Sequence, residues 1–172
     1  MSENIDYSVE DIEKFLEITR LENDKPQSAS LHKLLSVQNK IAIFRDIDPD
    51  ELKAIIYDLK FVKYKFKDYI IKQGDISENI YFIIQGDCQV FSDDKLVATL
   101  VPGIIFGESA AIFKTKRNAS VICASQDATL LSFCIDEKNV EFCAQALFTL
   151  YKNLASEINA KLESSNAAFI KK

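Results

Sequence analysis

Residues 103–121 read GIIFGESAAIFKTKRNASV, and the rest of the chain is organised around this stretch. An apolar run, Ile104, Ile105 and Phe106, ends at Gly107. An acid, Glu108, follows at once, then the small residues Ser109, Ala110 and Ala111, which let a backbone approach a ligand closely. A short apolar turn and a basic loop come next, and Arg117 closes the loop just before a new strand at Ser120. These parts, in this order, suit a phosphate. Small residues at a helix start present N–H groups to an anion, and an arginine closes on the same anion with a forked, charge-assisted donor set. Glu108 is out of place beside a phosphate unless the ligand also offers hydroxyl donors, as a ribose does.

On either side of the stretch the chain has a strand period. Val62, Tyr64 and Phe66 alternate with Lys63, Lys65 and Lys67, the pattern of a half-buried strand. Further strands are expected over 69–72, 80–84, 88–91, 96–100, 120–124 and 129–135, with a hairpin over 92–95. Strands this short and this evenly spaced predict a barrel or roll. All four glycines, Gly74, Gly86, Gly103 and Gly107, fall between consecutive strands. Turn geometry accounts for the first three, whereas Gly107 abuts the acid and the small-residue run.

Helical periods bracket the strands. Residues 8–21 open with a capping-box pattern, Ser8 to Asp11, and place Ile12, Phe15, Leu16 and Ile18 at roughly helical spacing. A proline-bearing linker over 23–28 leads to a second helix capped by Ser30, with Leu31, Leu34, Leu35 and Ile41 on one side. A third is expected from Asp48, with Pro49 in the first turn, running to about Leu59 with Leu52, Ile55, Ile56 and Leu59 inward. After the strands, Asp136-Glu137 opens a short helix with Val140 and Phe142. From about Gln145 a longer helix aligns Leu147, Leu150, Tyr151, Leu154, Ile158 and Leu162 on a stripe that suits packing on the roll or pairing with a second copy.

Bulk properties exclude several classes. A chain of 172 residues can bury a core as one domain. The net charge of −5 gives no broad basic footprint for nucleic acid. The four cysteines, Cys88, Cys123, Cys134 and Cys143, form no CxxC pair and have no histidine cluster near them, so they read as reduced apolar residues of a cytoplasmic protein. There is no long apolar span and no leader-like N-terminus, so no membrane partner is expected. A barrel metalloenzyme needs several His and Glu ligands, and the single histidine, His32, lies outside the strand region. No Ser-His or Cys-His arrangement points to nucleophilic chemistry. Neither enzymatic activity nor a metal or cofactor is expected.

Phe106-Gly107-Glu108, then Ala110, then Arg117-Asn118-Ala119-Ser120-Val121 resemble the phosphate-binding cassette of the cyclic nucleotide-binding domain family, which includes the bacterial catabolite activator and the protein kinase A regulatory subunits. The resemblance covers roughly residues 42–165 and has no insertion between the two halves of the cassette. It implies an α+β fold, an antiparallel β-roll (jelly-roll-like, a double-stranded β-helix) over about 61–135, flanked by N-terminal and C-terminal helices. The domain would occupy 41–172, with C-terminal helices over 136–166 and an N-terminal helical extension over 1–40.

The resemblance also implies a ligand, cAMP or cGMP, held by Phe106, Gly107, Glu108, Ser109, Ala110, Arg117, Asn118, Ala119 and Ser120. Arg117 would take the phosphate and Glu108 the ribose 2′-hydroxyl. Ile83 or Ile84 would wall the base pocket or else belong to the plain core, and Phe148, Tyr151 or Ser164, Ser165 and Asn166 would close it as a lid or else lie on the helix surface or in its core. Two positions depart from the family. Ser109 stands where leucine is frequent, and Asn118 stands where cGMP binders often carry threonine and many cAMP binders alanine or serine. The missing threonine leans the reading toward cAMP. The implied role is a regulatory or sensor domain in which ligand draws the helix at 109–113 inward and repacks Ile112 and Phe113 on the C-terminal helix. Only residues 167–172 follow that helix, so the signal is expected to pass to a protein partner or a second copy, with the N-terminal helices as a docking element. The alternative is a roll that has lost its ligand and serves only as an interaction module.

Overall fold

The computed structural model describes residues 38, 41–138 and 140–170. The helix expected over 8–21 and most of the one expected from Ser30 therefore lie outside the described residues. Helix α1 (Pro49–Ile55) starts as predicted: the Asp48 carboxylate accepts from the N–H groups of Asp50 at 2.9 Å and Glu51 at 3.2 Å. It stops short of Leu59, however, because Ile56 already opens strand β1 (Ile56–Lys65). Ile56 and Leu59 are buried, but from a strand. Strand β1 pairs antiparallel from Ile56↔Ile135 to Lys65↔Asp127, with a register shift between Tyr57 and Lys60 where Asp58 adopts a φ of 51°. That bulge lets residues three apart share one face, so a spacing that mimics a helix is met in a sheet. Phe66 also departs from expectation. The strand ends at Lys65, Lys67 turns the chain with a φ of 70°, and Phe66 is left 56% exposed.

Strands β2 (Tyr69–Ile71), β3 (Ile80–Gln85), β4 (Cys88–Ser92), β5 (Lys95–Leu100), β7 (Ser120–Cys123) and β8 (Asp127–Ile135) follow the predicted spans, while β6 (Ile105–Phe106) is a short strand that the sequence showed only as an apolar run. Among the described residues every pairing is antiparallel, in two four-stranded sheets ordered β1-β8-β3-β6 and β2-β7-β4-β5. The β4–β5 hairpin turns on Asp93 and Asp94, both left-handed at φ 49° and 62°, the twist a tight hairpin requires.

Two cores share the first sheet. Ile80, Phe82, Leu131 and Phe133 pack toward the helices, while Tyr81, Ile83, Leu130 and Ala128 pack toward the second sheet. Residues 80–84 are apolar without alternation because both faces of β3 are covered. Ile71, Phe106 and Val121 belong to the inter-sheet core, which carries the cassette at its edge.

The short helix α2 (Glu108–Phe113) and the long helix α3 (Val140–Ile170) complete the described chain. The two C-terminal helices expected from sequence meet at Cys143, whose φ of −123° kinks α3. Leu147, Leu150 and Leu154 of the predicted stripe are buried, Tyr151 and Ile158 are half-buried, and Leu162 is 57% exposed. Asn153 Nδ2 ties α3 to the carbonyls of Ile43 at 3.1 Å and Arg45 at 2.9 Å. Ile41, Ile43, Phe44 and α1 therefore share a core with the roll and α3.

Candidate functional site

The cassette hangs from β6. The Phe106 ring stacks on Tyr81 at 5.3 Å, which fixes the strand end in the inter-sheet core. The chain leaves the sheet through Gly107, whose φ is 81°. A Cβ there would sit 2.9 Å from Arg117 Nη1 and 3.2 Å from the Asn79 carbonyl, so close approach and backbone sign both demand glycine. Helix α2 begins without a side-chain cap. Ala111 N–H is the donor that returns to the Gly107 carbonyl, at 3.3 Å, so the N–H groups of Glu108, Ser109 and Ala110 precede the first helical bond. The helix ends at Lys114 in a left-handed conformation, with Phe113 69% exposed.

Arg117 is held by its backbone and its side chain. Its N–H donates to the Asp75 carbonyl and its own carbonyl accepts from Gly74 N–H, both at 2.8 Å. The side chain turns inward and is only 3% exposed. Nη1 donates to the Gly107 carbonyl at 2.5 Å, and Nη2 donates to the Asn79 carbonyl at 2.6 Å and Ser77 Oγ at 3.2 Å. Nε–H is buried with no partner. Among the described residues no carboxylate pairs with Arg117. Burial pushes its pKa below the ordinary guanidinium value. A guanidinium nevertheless stays charged in proteins, so the site holds a desolvated cation whose acceptors are all neutral.

Glu108 is buried at the start of α2, and its Oε1 accepts from Lys161 Nζ at 2.6 Å. Lys161, on α3, also donates to the Ile105 carbonyl at 2.6 Å.

Phe106, Gly107, Glu108, Ser109, Ala110, Arg117, Asn118 and Ala119 line one cleft of about 230 Å³, together with Lys161. Ile71, Val90, Leu100 and Val121 give the cleft an apolar floor. Ser120 is not in the lining; its Oγ accepts from Gln73 N–H at 3.0 Å and so ties β7 to the loop after β2. Ile83, Ile84, Phe148 and Tyr151 are not in the lining either. Ile83 belongs to the inter-sheet core and Ile84 to the helix-side core, because β3 is covered on both faces. Phe148 is 65% exposed on α3. Tyr151 lines a separate small hollow with Ala111 and Ile112, and its hydroxyl donates to Glu137 Oε1. Burial and that bond push the Tyr151 pKa up. The side chains of Ser164, Ser165 and Asn166 lie outside the described residues. Phe113 faces outward, so the packing of α2 toward the core runs through Ala111 and Ile112 instead.

Sequence reading missed Ser77, Asn79 and Lys161. The first two act on Arg117 from 40 and 38 residues away, and one of them acts through a backbone carbonyl, which carries no side-chain signature. Lys161 sits 53 residues from Glu108 on a helix whose charged positions otherwise read as a solvated face.

Among the described residues there is no group of metal-ligating side chains, and no helix is long and apolar enough to cross a membrane. Residues 61–140 match the model of a family described as the cyclic nucleotide-binding domain. A cGMP-dependent protein kinase of Plasmodium berghei is 33% identical over 87 residues, which is 51% of this chain and 10% of that protein. A cAMP-dependent protein kinase regulatory subunit of Schizosaccharomyces pombe is 36% identical over 87 residues, 50% of this chain and 21% of that protein. The chain thus spans a small part of the length of the curated relatives it matches. A solved cyclic nucleotide-binding domain from Methylobacillus flagellatus superimposes with a TM-score of 0.67 over 85% of both chains at 17% identity, which establishes the shared β-roll fold.

Proposed function

We propose that this chain, which carries a cyclic nucleotide-binding domain over its roll, binds a cyclic purine nucleotide, cAMP ahead of cGMP, and acts as a regulatory domain rather than an enzyme. One observation carries the reading. Arg117 is a desolvated cation with an unpartnered Nε–H, bordering a cleft that also holds the uncapped start of α2. A buried charge without a counter-charge is costly, and an anionic phosphate in the cleft supplies one. The fork of Arg117 and the first N–H groups of α2 provide donors, and the Glu108 carboxylate provides an acceptor for a ribose hydroxyl. The apolar floor supplies contact for a ring system. The preference for adenine rests on Asn118, which lines the cleft where the guanine-associated threonine would stand.

The signal would travel by repacking. Ala111 and Ile112 of α2 pack on the core that contains Leu147, Leu150 and Leu154 of α3. Ligand that favours one placement of α2 therefore biases α3, and only by its differential affinity for the two arrangements. A protein partner or second copy would read α3, where Phe148 and Leu162 are exposed. Buried free thiols at Cys88, Cys123, Cys134 and Cys143 support a reducing, cytoplasmic setting. Calorimetry with cAMP and cGMP tests the reading. Saturable binding of one nucleotide is expected, and binding of neither rejects it in favour of a ligand-independent interaction module.

A further inference from the structure

Glu108 poses an electrostatic problem for the proposed site. Its side chain is 10% exposed, and it lines the same cleft as Arg117. A bare carboxylate there repels the phosphate that Arg117 is placed to attract. Lys161 Nζ lies 2.6 Å from Glu108 Oε1 and 2.6 Å from the Ile105 carbonyl, with the lysine side chain 33% exposed. The pair is thus largely out of water and anchored on β6, unlike a mobile surface pair worth little. We propose that Lys161 is a positioning residue for the nucleotide. It cancels the charge of Glu108 toward the phosphate and holds the carboxylate so that it can still accept the ribose hydroxyl. This rests on the reading of the cleft as a cyclic nucleotide site.

The geometry favours support over blockade. An ionised carboxylate has about four acceptor positions, so an ammonium on Oε1 leaves room for a hydroxyl. An ammonium has three donors, of which the structure uses two. The cleft of about 230 Å³ stays open with the pair formed, and Lys161 is part of its wall rather than its filling. Lys161 also lies beyond Leu154, the last fully buried member of the α3 stripe, so its bonds tie the outer part of α3 to the cassette. Occupancy of the cleft and position of the helix then meet at one carboxylate.

The test is calorimetry on the wild type, Lys161→Met, Lys161→Arg and the double variant Lys161→Met/Glu108→Gln. The probes are cAMP, cGMP and their 2′-deoxy forms. Lys161→Met is expected to weaken the ribonucleotide about tenfold, a usual size for coupling between contacting charged residues, and Lys161→Arg to keep most of the affinity. The decisive arm uses the 2′-deoxy ligand, which has no hydroxyl for Glu108. There the double variant should bind more tightly than Lys161→Met alone, because the uncompensated carboxylate is gone. Unchanged or tighter binding by Lys161→Met overturns the inference, as does a double variant no better than the single on the 2′-deoxy ligand. Wild-type protein that binds no nucleotide fails at the earlier step and removes the proposed function itself.

Discussion

Replacing Arg117 by alanine tests the site and the fold together, and the two effects differ in size and readout. The side chain is 3% exposed and donates to two carbonyls and one hydroxyl, at 2.5, 2.6 and 3.2 Å. Hydrogen bonds to a charged group contribute about 1.5–3 kcal/mol each. The sum is reduced here because the wild-type cation is itself desolvated without a counter-charge, and because the vacated space opens on the cleft, where water can satisfy Gly107 and Asn79. A net loss of about 2–4 kcal/mol is expected, and at roughly 3 °C per kcal/mol the melting midpoint should fall by about 6–12 °C. The ligand term is separate. A guanidinium and a phosphate about 4 Å apart attract by about 4 kcal/mol at an effective dielectric of ~20, close to a thousandfold in affinity. Calorimetry and thermal melting with and without nucleotide read both terms. Ligand should raise the midpoint of the wild type and leave that of Arg117→Ala unmoved. If Arg117→Ala binds nucleotide within about threefold of the wild type, the guanidinium is not the anion-binding group and the reasoning is refuted.

Two further glycine substitutions should separate binding from folding. Gly107→Ala puts a Cβ 2.9 Å from Arg117 Nη1, the end of a side chain that can shift, at a φ of 81°. It is expected to cost about 1–2 kcal/mol of stability, with a larger loss of nucleotide affinity as the guanidinium is displaced. Gly86→Ala meets the Asp127 carbonyl at 2.4 Å and Ala128 Cα at 2.8 Å, where backbone cannot yield, so soluble expression should fail or the midpoint drop sharply; a well-folded Gly86→Ala would contradict the packing of the β3–β4 turn against β8. The Cys88 thiol is pushed up to about 12 by burial, and the Tyr64 hydroxyl to about 12 chiefly by burial. The unfolded chain ionises these groups from about pH 8.5 and 10, so their contribution is intact at neutral pH and is lost as pH rises toward 12. The midpoint should decline steadily above about pH 9, and a flat profile to pH 11 would count against it.

Much of this fold can be read in the chain because its signals are local. The order of short strands, the turns at Gly74, Gly86, Gly103 and Gly107, the Asp48 cap and the α3 stripe as far as Leu154 each depend on neighbours in sequence, where propensity and periodicity operate. The membership of the cleft from Phe106 to Ala119 was legible for the same reason, since both halves of the cassette lie on one continuous stretch.

Other features depended on long-range packing. Ile56 and Leu59 have a helical spacing, and only the pairing of β1 with β8 across a bulge at Asp58 makes them a strand face. Phe148 and Tyr151 occupy neighbouring positions on one helix, yet the kink at Cys143 and the docking of α3 leave the first in solvent and turn the second toward Ala111 and Ile112. The sequence alone determined that the loop from Gly107 to Ser120, with its acid, small residues and arginine, sits on a β-roll. The tertiary structure decided that Arg117 is gripped by Ser77, Asn79 and Gly107, and that Glu108 has Lys161 as its counter-ion. Those partners are two carbonyls, a hydroxyl and an ammonium, all but Gly107 brought in from distant segments, and a one-dimensional pattern records neither the direction of a carbonyl nor where a helix comes to rest.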